Sequence, residues 1–217
     1  MPEAPAGTEP RSRASRAFAL VARAGRIEKI IYRNLGLALR RRPDVPADGK
    51  GFHFHAPVLT ILWIFIGLSA VELVILDLIV NRWFVVRVIC LAVSIWGLVW
   101  MFGLLCGYYM RPHAVSGRGI EIRNGLDLDI RFPWDDVRSV AVRKHTFESK
   151  ERILDVDGSA FLVLPILTET NIEITLEGPR PVTLPGEPPK GGRHTVSTVC
   201  IWTDDPQGFL DEVRRHL

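Results

Sequence analysis

The sequence predicts an α+β membrane protein: an amphipathic N-terminal helix, a transmembrane helical hairpin, then a small antiparallel β-sandwich or barrel with a C-terminal capping helix. Three observations carry this. Residues 58–80 contain no Lys or Arg, and residues 83–110 contain only Arg87. Beyond residue 111 the apolar pattern switches to strict alternation punctuated by turn residues. Before the runs, apolar residues recur at three- and four-residue steps with Arg and Lys opposite them.

Charge follows the same division. Residues 1–56 are net +6, residues 57–110 are neutral and residues 111–217 are net −3, within a total of +3. What lies outside the two apolar runs is too polar and too short for a second large core, which excludes a purely soluble protein. The 3 cysteines include two inside an apolar run (Cys90, Cys106) and one in an alternating stretch (Cys200), so no disulfide framework is expected.

Residues 1–14, rich in Pro, Ala, Ser and Glu, read as a disordered tail, with no apolar segment placed for a secretory signal. Residues 15–42 form one helix. Leu20, Ala24, Ile27, Ile31, Leu35 and Ala38 line one face, and Arg16, Arg23, Arg26, Lys29, Arg33 and Arg40 line the other. A basic face opposite an apolar one suits the anionic headgroup layer of an inner leaflet, with a helix packed on the rest of the chain as the alternative. Residues 43–57 read as a Pro/Gly linker.

The transmembrane hairpin covers 58–110, with spans at 58–80 and 83–108 around an Asn81-Arg82 turn. At 1.5 Å per residue each crosses a hydrocarbon core of about 30 Å. Arg40, Arg41, Arg42 and Lys50 flank the first span, and Arg111, Arg118 and Arg123 follow the second, against Arg82 alone in the turn. That asymmetry predicts a cell-membrane protein with both termini cytoplasmic.

Residues 111–217 form the β-domain. Gly119–Asn124 and 126–132 alternate around Asn124-Gly125, a two-residue hairpin signal. Further strands are expected at 137–146, 161–166, 171–176, 181–184 and 195–202. Asp205 as N-cap and Pro206 at the first position open a final helix, with Phe209, Leu210, Val213 and Leu217 on its apolar face. The run Gly119-Ile-Glu-Ile-Arg-Asn-Gly, then Ile130-Arg-Phe-Pro-Trp-Asp-Asp-Val-Arg-Ser-Val140, resembles the bacterial pleckstrin-homology-like domain. The closing Ile201-Trp-Thr-Asp-Asp-Pro-Gln-Gly-Phe-Leu is similar to that family's last strand and capping helix. The resemblance covers about 111–217 and implies a fold and a place beside a two-span anchor, without catalytic residues. Phosphoinositide binding is not carried over, because the domain is acidic and Arg143-Lys144-His145 is its only tight basic cluster.

The charged residues within the spans need partners. In a hairpin centred on Asn81-Arg82, positions summing to about 164 share a depth, which pairs Asp77 with Arg87. The same sum sets Gly67 opposite Gly97, predicting a close-packed seam of Gly67, Ala70, Val74 and Asp77 against Arg87, Cys90, Ser94 and Gly97. Glu72 falls off this seam. It reads as a neutral, Ser69-bonded or snorkelling carboxyl, an intermolecular contact, or an ion- or proton-path group. A second stripe, Trp96, Trp100, Gly103 and Gly107, matches small-xxx-small packing and is compatible with a homo-oligomer.

His53, His55 and His113 share a depth and could ligate a metal, but they read more simply as interfacial hydrogen-bonding groups beside Phe52 and Phe54. Asp155-Val-Asp157-Gly158 lacks the later ligands of a calcium loop and reads as a turn. No catalytic or nucleotide-binding motif occurs, so no cofactor, metal site or nucleic-acid partner is expected. The functional expectation is a non-enzymatic membrane protein that holds its β-domain at the inner leaflet as a protein-interaction or scaffold module. The alternative is an accessory subunit of a transporter or channel with Glu72 in an ion or proton path.

Overall fold

In the computed structural model the described residues are 13–41, 43–148, 151–156, 158–186 and 191–217. The disordered tail expected over 1–14 lies outside them as far as residue 12, and Arg13 already begins helix α1 (Arg13–Leu39). Strand β1 (Lys50–Phe52) follows. Next come α2 (Ala56–Ile79) and α3 (Phe84–Met110), each within two residues of the expected span. The β-region contains β2 (His113–Ser116), β3 (Gly119–Asn124), β4 (Leu128–Phe132), a 3-10 turn (Trp134–Asp136), β5 (Val137–Thr146), β6 (Ile153–Val156) and β7 (Ser159–Leu164). It ends with β8 (Glu169–Leu184), β9 (Gly192–Ile201) and α4 (Pro206–Val213).

The architecture is α+β, two long apolar helices followed by two sheets. One sheet has the order β1-β2-β3-β4, all antiparallel, and the other β5-β8-β9-β7-β6. Period-two alternation sets their faces. In β4, Leu128, Ile130 and Phe132 point inward while Asp129 and Arg131 are exposed. Ile172, Ile174 and Leu176 of β8 point inward too, and Val182 and Leu184 rejoin the core beyond a register shift. Phe209 and Val213 of α4 are fully buried in that core, and Phe209 meets Phe52 of β1 edge to face at 5.1 Å. Asp205 caps α4 by accepting from Gly208 N–H at 2.9 Å.

Several expectations need correction. Residues 43–57 are not a linker, because β1 pairs with β2 across the hairpin, Lys50 opposite Val115 and Phe52 opposite His113. The β-domain therefore draws on chain from both sides of the spans. It is also not wholly antiparallel, since β7 and β9 run parallel. Strands β7 and β8 are antiparallel to each other, so β9, inserted between them, must be parallel to one. The strands expected at 171–176 and 181–184 are one, β8, with an irregularity between Thr175 and Arg180. Asn124 pairs with Leu128, so the β3–β4 loop has three residues, with Gly125 at φ +63°. Leu217 is exposed rather than part of the α4 face.

The seam between α2 and α3 is likewise not the predicted one. Leu62, Ile66 and Leu105 are buried, packed by Leu59, Leu98, Met101 and Tyr108. A methyl on Gly67 or Gly97 would meet nothing within 4 Å. Large side chains at three- and four-residue steps fill the contact, so the glycines at 67 and 97 do not mediate it.

Candidate functional site at the junction of spans and β-domain

The start of α2 is held by the short segment between β9 and α4. Asp204 accepts from the backbone N–H of His55 at 3.1 Å and of Ala56 at 3.2 Å, so a residue 148 positions away caps this helix. A carboxylate there satisfies orphan donors and faces the positive end of the helix dipole. The clamp is reciprocal: His53 C=O accepts from Asp204 N–H at 2.8 Å and from the Thr203 hydroxyl at 3.2 Å. Asn171 fixes Thr203 in turn through both its amide atoms, at 2.7 and 2.9 Å. The sequence presents Asp204-Asp205-Pro206, and only Asp205 serves the helix that follows.

Aromatic rings fill the space around the clamp. Phe54 stacks on His113 at 4.6 Å, and Tyr109 meets His55 at 4.4 Å. His113 is buried with both ring nitrogens engaged. Nδ1 accepts from Arg123 N–H at 3.1 Å, which leaves the proton on Nε2 to donate to Trp202 C=O at 3.1 Å. Burial, aided by Arg123, pushes its pKa down to about 4 against the pull of the Trp202 carbonyl. His55 is also shifted down, by burial and His53, with Asp204 opposing. Its 3.5 Å approach to Asp204 is therefore not an ion pair at neutral pH. With His113 committed to two backbone groups, the three histidines do not converge on a metal.

A buried polar network lies beside this junction. Arg123 donates to Glu121 at 2.9 Å and to the carbonyls of Asp44 and Pro112, with Asp129 and the Asp44 carboxylate within 4 Å. Arg131 approaches the other Glu121 oxygen at 3.3 Å. Arg111 donates to Leu126 C=O, and Asp44 N–H to Met110 C=O at 2.8 Å. Alternation makes Glu121 and Arg123 outward residues of β3, so sequence reasoning reads them as solvated. The segment around Asp44 covers Arg123, and Glu121 is held between Arg123 and Arg131.

Helix α1 lies on α3 through the residues read as an oligomer stripe. Ile31 and Asn34 are fully buried, Ile31 against Gly103 and Asn34 against Gly107. Trp96 Nε1–H donates to Tyr32 Oη at 3.2 Å. Of the expected basic face, Arg26, Lys29, Arg33 and Arg40 are exposed, with Arg33 3.5 Å from Asp44. The side chains of Arg16 and Arg23 lie outside the described residues. The apolar face of α1 from Ile31 onward thus meets protein as well as any lipid.

Within the spans, Arg87 donates to both carboxylate oxygens of Asp77, at 2.5 and 2.8 Å. Ser69 donates to Met101 Sδ at 3.7 Å rather than to Glu72. Glu72 makes no hydrogen bond or ion pair among the described residues, and it lines a groove with Ser94, Trp96, Gly97 and Trp100.

The basic cluster on β5 is neutralised by β8. Arg143 and His145 both reach Glu173, at 3.2 and 2.9 Å, and Lys144 reaches Glu169 at 2.9 Å. Cys200 stands beside Glu173, and the three ligand atoms of His145, Glu173 and Cys200 lie within 4.8 Å of one another. Burial first, then Glu173, pushes the Cys200 thiol up to about 12. A metal there would have to strip that proton and displace Arg143. Asp155 accepts from Gly158 N–H at 2.9 Å, as in an Asx turn, and Asp157 lies outside the described residues. No family model, curated protein or solved structure matches the chain.

Proposed function

We propose that the chain is a non-enzymatic integral membrane protein that holds a pleckstrin-homology-like β-domain against the cytoplasmic leaflet as a protein-interaction platform. The observation that carries this is the double tie across the hairpin. Strand β1 before the spans pairs with β2 after them, and Asp204 caps α2. A domain joined to its anchor on both sides has a fixed pose at the membrane, which a tether would not provide.

Membrane insertion rests on α2 and α3, which are long and apolar enough to cross a bilayer. Their exposed Trp63, Ile64, Phe65, Leu68, Val85 and Val93 would be an untenable patch in water. At 1.5 Å per residue α3 is about 40 Å long against a hydrocarbon core of about 30 Å. The excess at its C-terminal end, Gly103 to Met110, falls in the headgroup layer, where α1 crosses it. The exposed Arg40, beyond the Asn34–Gly107 contact toward that end, would then lie among anionic lipids. Positive flanks on α1 and β2–β3 against Arg82 in the turn put both termini in the cytoplasm.

The test is site-specific photocrosslinking in native membranes with the full chain. Probes at exposed β-domain positions such as Arg138 and Lys144 are expected to trap a discrete partner. A β-domain that traps none would refute the platform reading. The accessory-subunit alternative rests on unpaired Glu72. It predicts that Glu72→Gln abolishes an ion or proton flux while assembly persists.

A further inference from the structure

The carboxylate of Glu72 is the one charged group of α2 and α3 with no partner among the described residues. Asp77 and Arg87 satisfy each other with two hydrogen bonds, so the spans hold no spare cation. Arg82 sits in the connecting turn, beyond the end of α2 at Ile79. An isolated carboxylate at that depth is unfavourable unless something neutralises it.

Its surroundings are shaped to receive something. Glu72 opens on a groove of ≈ 350 Å³ lined by Ser69, Ser94, Trp96, Gly97 and Trp100. Nothing lies within 4 Å of a methyl built on Gly97, so a second backbone can come close. The Trp96 ring is held at the groove by its bond to Tyr32, and indole faces attract cations. The spans of a second copy do not complement the site: they would bring another Glu72 to the same depth and no cation beyond the Arg87 already held by Asp77.

We propose that this groove docks a membrane-spanning helix of another protein, one that carries a Lys or Arg level with Glu72. Glu72 is seven residues short of Ile79, which sets the cation about 10 Å inside the end of the span nearest the Val80–Trp83 turn. The inference concerns the spans alone and does not rest on the platform reading.

Full chain reconstituted in lipid vesicles, mixed with synthetic spanning Leu/Ala helices, tests it by energy transfer. The helices carry no Lys, one Lys at the Glu72 depth, or one Lys in the opposite half. The Lys helix of matching depth should associate about tenfold more tightly than the Lys-free one. That preference should disappear in Glu72→Gln, which keeps the groove, and in Gly97→Leu, which fills the groove and keeps the carboxylate. Equal binding of all three helices overturns the proposal. So does a preference that survives Glu72→Gln, or self-association of the chain that depends on Glu72.

Discussion

Substituting Gly103 measures how α1 is held, and the structure supplies the magnitude. A methyl on Gly103 would collide with Ile31 Cγ2 and lie 3.2 Å from the Ile31 carbonyl oxygen. Neither atom can swing away: the first branches from Cβ and the second is backbone. Gly103→Ala therefore pushes the helices apart, at the cost of about 1–3 kcal/mol typical of overpacking. Burial of Ile31 is worth about 1.5–3 kcal/mol, so Gly103→Leu, a still larger intrusion, should release α1 from α3 altogether. Spin labels at Ala24→Cys on α1 and Ser139→Cys on β5, both exposed positions, report this by pulsed dipolar spectroscopy in nanodiscs. The native distance distribution should be narrow, Gly103→Leu should broaden it, and Gly67→Leu, with open space around it, should leave it unchanged. A narrow distribution in Gly103→Leu, or equal disturbance by Gly67→Leu, would refute the docking of α1 through this glycine.

Asp204→Ala should destabilise the junction by about 1 kcal/mol, the value of a helix cap, while Asp204→Asn retains most of it; amide exchange at His55 and Ala56 should quicken in the first and hardly in the second. Arg123→Leu leaves the buried Glu121 with only the exposed Arg131 beside it and should cost about 3 kcal/mol, the lower end for a broken buried pair, with part recovered in the Glu121→Leu, Arg123→Leu double variant. Melting temperatures compare the two, and a double variant no better than the single one would count against buried charge as the cause. His113 is neutral in the fold, its pKa down from 6.5 to about 4, so its contribution is complete above pH 6.5. As pH falls from about 6.5 to about 4 the unfolded chain takes up the proton first, and about 3 kcal/mol should be lost. His113→Asn should flatten the melting profile in that window; an unchanged slope would assign the acid sensitivity elsewhere.

What was legible in the sequence was local. Helices α2 and α3 announce themselves by length and apolar content, α4 by Asp205-Pro206, and the β3–β4 turn by Asn124-Gly125. Counting depth from the Asn81-Arg82 turn brings Asp77 to Arg87, which share two hydrogen bonds. The same counting misplaces Gly67 and Gly97 because it assumes small residues at the seam, whereas Leu62 and Ile66 already fill it. A small-xxx-small pattern says that a helix comes close and not which helix, so Gly103 and Gly107 could not be assigned to Ile31 and Asn34 in advance.

The larger omissions share one physical cause. Strand β1 has three residues inside a Pro/Gly-rich stretch, too few for alternation to register, and its partner β2 begins three residues after α3 ends. Asp204 looks like surplus beside Asp205 until α2 is placed on it. Arg123 looks solvated until the Asp44 segment covers it. Each of these is a closure between chain before the spans and chain after them, which no local window contains. The start of α2 and the end of α3 are bound into the same sheet through β1 and β2. A helix docking at Glu72 that shifted one span against the other would therefore strain the β1–β2 pairing and the Asp204 cap before any surface residue of the β-domain moved. Faster amide exchange at Gly51 and His55 on addition of the Lys-bearing helix would reveal that coupling. Unchanged exchange there, with binding at Glu72 intact, would make the α2–α3 hairpin and the β-domain mechanically independent.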